Sequence, residues 1–235
     1  MTKTKLYLVR HGKTMFNTID RVQGWSDTPL TPEGKQVIQH LGVGLQSVPF
    51  EEAYSSYSGR AIQTARIILQ QHEQKETIPY EMDERIREWG FGSLDGGYNN
   101  TLWALLARLL NVDSLEDISK VSVTYKELAE AILAADTTGW AESYEQIEER
   151  VWTGFEDIAQ KREQNAGGNT LIVSHGYTIA FFLSLIDASR PVQFDLINGS
   201  VTTVTYEHGE FTIDTVNDTN YIEKGKSYQT QQHLL

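Results

Sequence analysis

The sequence predicts an α/β fold: a three-layer αβα sandwich with a mostly parallel sheet, a helical insertion and a C-terminal hairpin. Three observations predict it. Short apolar runs alternate with stretches of helical periodicity, the pattern of a parallel sheet covered by helices on both faces. Two of those runs stop abruptly at a His-Gly pair, in "LYLVRHG" and "LIVSHG". Two further runs flank "EHGE", which reads as a hairpin with a glycine turn.

The first strand is residues 6–9, "LYLV". "AYSS" at 53–56 is a weaker second, residues 78–81 a third, and "TLIVS" at 170–174 a strong fourth; residues 201–206 and 211–216 form the hairpin. Helices fall between them. "TPEGKQVIQHLGVGLQS" opens with Thr31 as N-cap and Pro32 at the first helical position. "SGRAIQTARIILQQH" carries apolar residues at helical spacing, with Ser58 as its cap. "TLWALLARLL" and "TYKELAEAILAAD" predict helices of an insertion at about residues 98–142, inside a single domain of residues 1–235. "SYEQIEERVWTGFEDIAQKR" aligns Ile147, Val151, Phe155 and Ile158 on one face. "YTIAFFLSLID" follows "SHG" directly, and the polar tail at 218–235 is expected to be mobile.

Composition narrows the function. With 235 residues, 40% hydrophobic and 22% charged, the chain can bury a good core as a soluble globular protein. Its net charge of −12 argues against nucleic acid and anionic membrane as partners, unless a cationic pocket is focused inside the acidic shell. The chain has no cysteine, so disulfides, thiolate metal sites and a cysteine nucleophile are excluded. The apolar stretch near Met1 is too short for a signal peptide, and no apolar run reaches membrane-spanning length. A cytoplasmic protein is expected; the oligomeric state stays open, a homodimer included.

Three histidines precede a glycine: His11, His175 and His208. His208 sits in the hairpin turn and reads as a surface residue. His11 and His175 end apolar strands, and ligands of open α/β sheets bind beyond the carboxyl ends of strands. The following glycines, Gly12 and Gly176, let backbone approach a ligand and free an N–H. Arg10 adds a fixed charge beside His11, and a buried cation pair needs an anionic partner. Arg60, in "SSYSGRAIQTA", sits in the first turn of a helix, where its fork matches phosphate oxygens and the helix dipole adds to its charge. "DERIREWGFGSLDG" places Asp83, Glu84 and Glu88 just after a strand, where a carboxylic acid can protonate a leaving group.

"LVRHGKTMFN", "QGWSDTPLTPEG", "SSYSGRAIQTA", "IREWGFGSLDG" and "LIVSHG" occur in this order, and together they resemble the histidine phosphatase superfamily in its phosphoglycerate-mutase-like branch. The resemblance covers nearly the whole chain except the insertion and the tail. It implies His11 as the nucleophile that forms a phosphohistidine. It implies Arg10, Arg60 and His175 as holders of the phosphoryl oxygens, and Glu88 as the acid that protonates the departing alkoxide and then activates water. Asn17, the backbone of Gln23 and Gly24, and the N–H of Gly176 would line the phosphate site, while Thr14 fixes the turn after His11. His11 should keep one ring nitrogen free by donating the other N–H to a backbone carbonyl. No metal or other cofactor is implied, because two arginines and a second histidine supply the positive charge.

The mutases of this branch follow their acid with a stretch rich in lysine and arginine that grips a second phosphate. Here that stretch reads "GSLDGGYNNTLWALLARLLNVD", with Arg108 the only basic residue between Arg87 and Lys120. A mutase must retain its bisphosphate and exclude water. The expected activity is therefore hydrolysis of a small phosphorylated metabolite, with a mutase as the alternative. Two other classes stand further off: a metal enzyme built on His11, His175 and a carboxylate, and a silent phosphate-binding protein. Two flanking arginines would repel a metal cation, and the retained nucleophile and acid argue against silence. Tyr98, Trp103, Trp140, Glu142, Ser143 and Tyr144 are expected to wall the leaving-group side, or simply to pack the insertion. An apolar, acidic wall would favour uncharged or aromatic alcohols as leaving groups.

Overall fold

A computed structural model describes residues 3–114, 122–193 and 196–232. Residues 115–121 of the insertion, which include Lys120, and residues 233–235 of the tail lie outside the described residues.

The strands are β1 (Thr4–Arg10), β2 (Phe50–Ser55), β3 (Tyr80–Met82), β4 (Gly168–Ser174), β5 (Val201–Glu207) and β6 (Glu210–Asp218). The helices are α1 (Met15–Thr18), α2 (Pro32–Leu45), α3 (Gly59–Gln71), α4 (Asn99–Leu109), α5 (Tyr125–Ala135), α6 (Tyr144–Gln164), α7 (Gly176–Ile186) and α8 (Asn220–Gln232). Among the described residues the strands form one sheet in the order β3-β2-β4-β1-β5-β6. The first four of these run parallel, while β5 pairs antiparallel with β1 and β6 with β5. The mostly parallel sheet and the C-terminal hairpin are as the sequence predicts. None of the described helices is long and apolar enough to cross a membrane.

Strand alternation builds two apolar layers. In β1, Leu6 and Leu8 enter the core under α4–α7, while Tyr7 and Val9 enter the core under α2, α3 and α8. In β4, Ile172 joins the first layer and Leu171 and Val173 the second. The first layer is dense in aromatics, with Phe155 stacked on Phe182 at 4.3 Å and Phe181 edge-on to Trp89 at 5.4 Å.

Caps fix the helix starts. Thr31 accepts from Gly34 N with Pro32 at N1, and Ser143 and Gln146 form a capping box on α6. Ser58 occupies the N-cap of α3 but makes no side-chain cap; the Arg60 N–H turns to Asp27 Oδ1 at 3.3 Å instead. The polar tail, expected to be mobile, is largely the helix α8, laid against α2. Gly44 and Gly225 explain the packing: a methyl group at either would overlap a carbonyl oxygen of the other helix, from Tyr221 or His40. Ile222 and Tyr221 of α8 join the apolar layer at the same seam.

Candidate active site

The parallel register carries the ends of β1 and β4 to the same edge, with Arg10 opposite Ser174. His11 and His175 therefore follow in adjacent positions, their ring centroids 5.1 Å apart. His11 is buried. Its Nδ1 lies 2.9 Å from the Gly12 carbonyl, which can only accept, so Nδ1 carries the proton and Nε2 keeps its lone pair. The expected tautomer is the one found. Burial first, then the charges of Arg60 and Arg10, push the His11 pKa well below the ordinary histidine value, so the ring is neutral at pH 7.

Below His11 lies a second layer. Arg60 is fully buried. Its Nη1 donates to Ser26 O at 2.8 Å and Asp27 Oδ1 at 3.0 Å; its Nη2 donates to Gly24 O at 2.8 Å and His175 Nδ1 at 3.0 Å. That leaves the proton of His175 on Nε2, which donates to Ser56 Oγ at 2.6 Å. Burial, then Arg60, depresses the His175 pKa strongly as well. Both nitrogens of His175 are thus engaged by protein rather than turned to a ligand. The Arg60 fork is spent too, except for Nε, which is buried without a partner. Arg10 donates from Nη1 to Leu196 O, and its Nε is likewise buried and unpartnered. Gly176 allows this placement, because a methyl there would sit 3.3 Å from Arg10 Nε. Two orphan guanidinium N–H groups beside a neutral imidazole are an anion site in outline.

Glu88 is buried at the N-terminus of α7. Its Oε2 accepts from Tyr177 N at 3.2 Å, and its Oε1 from Thr178 N and Thr178 Oγ1, each at 3.0 Å. Burial raises its pKa; Arg60 and these donors oppose the rise. The loop that carries it is braced from behind. Arg150 grips Glu142 through Nε at 2.6 Å and Nη2 at 2.7 Å, and donates to the carbonyls of Arg85, Arg87 and Glu88. Glu142 in turn accepts from Gly90 N at 2.9 Å.

A cavity of about 260 Å³ joins these parts. Arg10, His11, Asn17, Gln23, Glu88 and Gly176 line it on the strand side, with Arg21, Val22, Phe91, Asn99, Leu102, Trp103 and Tyr177 around them. Asn17 Oδ1 accepts from Thr14 N at 3.1 Å and Thr14 Oγ1 at 3.0 Å, which confirms Thr14 as the anchor of the turn. Arg60, His175 and Gly24 do not line the cavity. The Gly24 N–H is taken by Asp95 Oδ1 at 3.0 Å and its carbonyl by Arg60, so Gly24 packs the loop instead of meeting a ligand. Gly12 also differs from expectation: its N–H goes to Thr64 Oγ1, and the space a side chain would need is filled by Ile38.

The wall is only partly the expected one. Trp103 lines the cavity; Tyr98 lies outside it under the Arg21 guanidinium. Trp140 and Glu142 face a separate cleft of about 600 Å³, Ser143 caps α6, and Tyr144 packs on Phe181. Among the described residues no group of three or more His, Asp or Glu is arranged to hold a metal ion.

The family model of the histidine phosphatase superfamily, branch 1, matches residues 6–219. The chain belongs to this superfamily. A phosphoglycerate mutase structure from Bacillus anthracis superposes with a TM-score of 0.90 at 36% identity, covering 96% of this chain and 97% of that one. A 2,3-bisphosphoglycerate-dependent phosphoglycerate mutase of Cytophaga hutchinsonii is 28% identical over 203 residues, 83% of this chain and 84% of the relative. A phosphoserine phosphatase variant from Entamoeba histolytica, in complex with phosphoserine, matches at 25% identity and a TM-score of 0.69, over 93% of this chain and 98% of that one. Mutases and phosphatases of the superfamily thus both stand among its relatives.

Several residues of this histidine phosphatase site escape sequence reasoning. Tyr177 and Thr178 had a usable signal, being the first turn of the helix after "SHG". Asp95, which accepts from the N–H groups of Gly24, Trp25 and Ser26, had a weak one in "LDG". Arg21 and Asn198, whose Nδ2 donates to the His11 carbonyl at 2.9 Å, had none.

Proposed function

We propose that this chain is a metal-independent phosphomonoester hydrolase that acts through a phosphohistidine on His11. The observation that carries the reading is the His11 ring: neutral, tied at Nδ1 to Gly12, and sharing its cavity with Arg10 and Glu88. Nε2 attacks phosphorus while the bond to the leaving oxygen breaks, and the protonated Glu88 gives its proton to that oxygen. Water then loses a proton to Glu88 and attacks phosphorus, and His11 departs. Arg10 Nε, buried and without a protein partner, supplies a donor to the phosphoryl oxygens, with Asn17, Gln23 and the Gly176 N–H beside it, and Arg60 adds its charge from the layer beneath. His175 acts through Arg60, which it holds in place. Two guanidinium charges do the work a metal ion would do elsewhere. The substrate is a small phosphorylated metabolite of the cytoplasm.

A mutase reading has its own support in the 36% identity to the Bacillus anthracis protein. Hydrolysis is favoured because the segment after Glu88 lacks the paired basic residues that would retain a bisphosphate. The test offers simple phosphomonoesters, and separately a monophosphoglycerate primed with bisphosphoglycerate. Inorganic phosphate release without isomerisation supports the hydrolase; isomerisation outrunning phosphate release overturns it.

A further inference from the structure

Resting on that phosphomonoesterase reading, we propose that Asp95 is a positioning residue, which holds the Arg60 guanidinium against His175 by way of the peptide units that join Gln23, Gly24 and Trp25. Asp95 follows the turn Gly92–Leu94 and is half-buried. Both of its oxygens point into the loop of residues 23–26. Oδ1 accepts from Gly24 N at 3.0 Å and Ser26 Oγ at 2.5 Å; Oδ2 accepts from Trp25 N at 2.7 Å and Ser26 N at 2.9 Å. The opposite side of the same loop faces Arg60. Nη2 donates to Gly24 O at 2.8 Å, with Gln23 O at 3.5 Å, and Nη1 donates to Ser26 O at 2.8 Å.

No peptide bond of the loop is cis, so each carbonyl points away from the N–H of the next residue. The unit between Gln23 and Gly24 therefore has its N–H on Asp95 and its C=O toward Arg60, and the unit between Gly24 and Trp25 repeats the arrangement. Two peptide dipoles are aligned between a carboxylate and a guanidinium, N–H ends to the anion and C=O ends to the cation. A peptide bonded to a carboxylate at its N–H offers a more negative oxygen at its far end. The result is an ion pair relayed by backbone. Asp27 meets Arg60 directly, but at Nη1, 3.0 Å away. The Nη2 edge carries the bond to His175 Nδ1 at 3.0 Å, and among the described residues its other acceptors are the carbonyls of this loop. Asp95 joins Glu88 and Asp27 among the charges that stabilise the Arg60 cation. Gly24 makes the relay fit: a methyl group there would overlap Trp89 O and crowd Asp95 Oδ2. Asparagine cannot take the place of the acid, because its amide would turn N–H donors toward backbone N–H groups.

The experiment measures Asp95→Asn and Arg60→Lys, singly and together, on p-nitrophenyl phosphate and an alkyl phosphate. Asp95→Asn is expected to lower kcat/KM by about 10- to 100-fold, equally for the two esters, and by less than about 3-fold where Arg60 is already lysine. Losses that multiply in the double variant overturn the proposal. So does a loss confined to the alkyl ester, which would route the effect to Glu88 through the bond its carbonyl accepts from Trp25 Nε1. Independently of activity, the Nη protons of Arg60 are followed by NMR. Held on four acceptors, they should exchange slowly in the wild type and at least about tenfold faster in Asp95→Asn. Asp95→Glu keeps the charge and displaces it by one methylene, so it should show both effects at reduced size; it carries the test where Asp95→Asn does not fold. Arg60 signals unchanged in either folded variant overturn the proposal. If no ester is hydrolysed, the hydrolase reading falls, and the Arg60 signals still decide the role of Asp95.

Discussion

The floor of the cavity and its wall are built on different principles. The floor, Arg10 and His11 with Arg60 and His175 in the layer beneath them, stands on two adjacent parallel strands and the start of α3. Its polar atoms are tied one to the next: Arg60 to His175, His175 to Ser56, His11 to Gly12. The wall draws Arg21 from the turn after α1, Asn99, Leu102 and Trp103 from α4, and Tyr177 from α7. Its rings meet by stacking, as in Trp103 over Tyr177 at 6.4 Å and 23°, and its polar groups bond mainly to loop and neighbouring residues, as in Arg21 Nη1 to Gly96 O. A network fixes charge and tautomer, which phosphoryl transfer requires; a stacked wall fixes shape, which substrate choice requires. Substitutions in the floor should therefore act on chemistry, and substitutions in the wall on selection.

The largest effect is expected at His11. His11→Ala should lower turnover by about 10⁴-fold or more and abolish an acid-labile phosphoenzyme, because the covalent route is lost as a unit. Rapid acid quench with labelled ester measures it, and covalent labelling that survives in the variant would place the nucleophile elsewhere.

Glu88 comes next and also has a pH signature. Glu88→Gln should slow alkyl phosphates by about 10²- to 10⁴-fold, and p-nitrophenyl phosphate far less, because a good leaving group needs no proton. Glu88 must be protonated in the first step and burial raises its pKa, so kcat/KM falls as pH rises through that value. His11 must be neutral and its pKa is depressed, so kcat/KM falls on the acid side only as pH drops through a value well below the ordinary one. The alkaline limb should vanish in Glu88→Gln while the acid limb stays. A profile that keeps both limbs removes Glu88 as the acid.

The brace behind Glu88 comes third. Arg150 and Glu142 have side chains 11% and 6% exposed, and without Arg150 the buried Glu142 keeps only the more distant Arg87, at 3.6 Å, as an ion-pair partner. Arg150→Met should cost about 3–5 kcal/mol of stability, lowering Tm by roughly 6–20 °C for a domain of this size. It should also widen the gap between poor and good leaving groups, since three loop carbonyls lose their donor. A Tm loss with no change in that gap would mean that the brace serves the fold alone.

What the sequence makes legible follows the same division. The floor is readable because each part sits at the end of a contiguous strand or the start of a helix, so local pattern fixes its place. Arg21 was invisible because its position depends on pairing with residues 96–98, seventy-odd positions away. Glu142 was left between wall and packing for a related reason. Its partner Arg150 lies on the next helix, and only their pairing shows that Glu142 faces the loop of Glu88 from behind. The helix of the tail was not legible from its polar composition, since α8 docks by glycine-mediated backbone contact together with Ile222 and Tyr221.

The smallest effect is expected in the wall. Trp103 is half-buried, stacked on Tyr177, and lines the cavity from α4. Trp103→Ala removes a ring from one side of the cavity while leaving the tautomer of His11 and the carboxyl of Glu88 as they are. The loss should fall on KM, by about 3- to 30-fold for a compact ester, in line with roughly 1–2 kcal/mol of lost apolar contact. The chemical step, read as the amplitude and rate of phosphoenzyme formation at saturating ester, should move little by comparison. A drop in kcat as large as the rise in KM would mean that the stacked pair holds α7, and with it Glu88, in register. The wall would then belong to the chemistry, and the division between floor and wall would fail at Tyr177, the one residue that donates to Glu88 from its backbone and stacks on Trp103 with its ring.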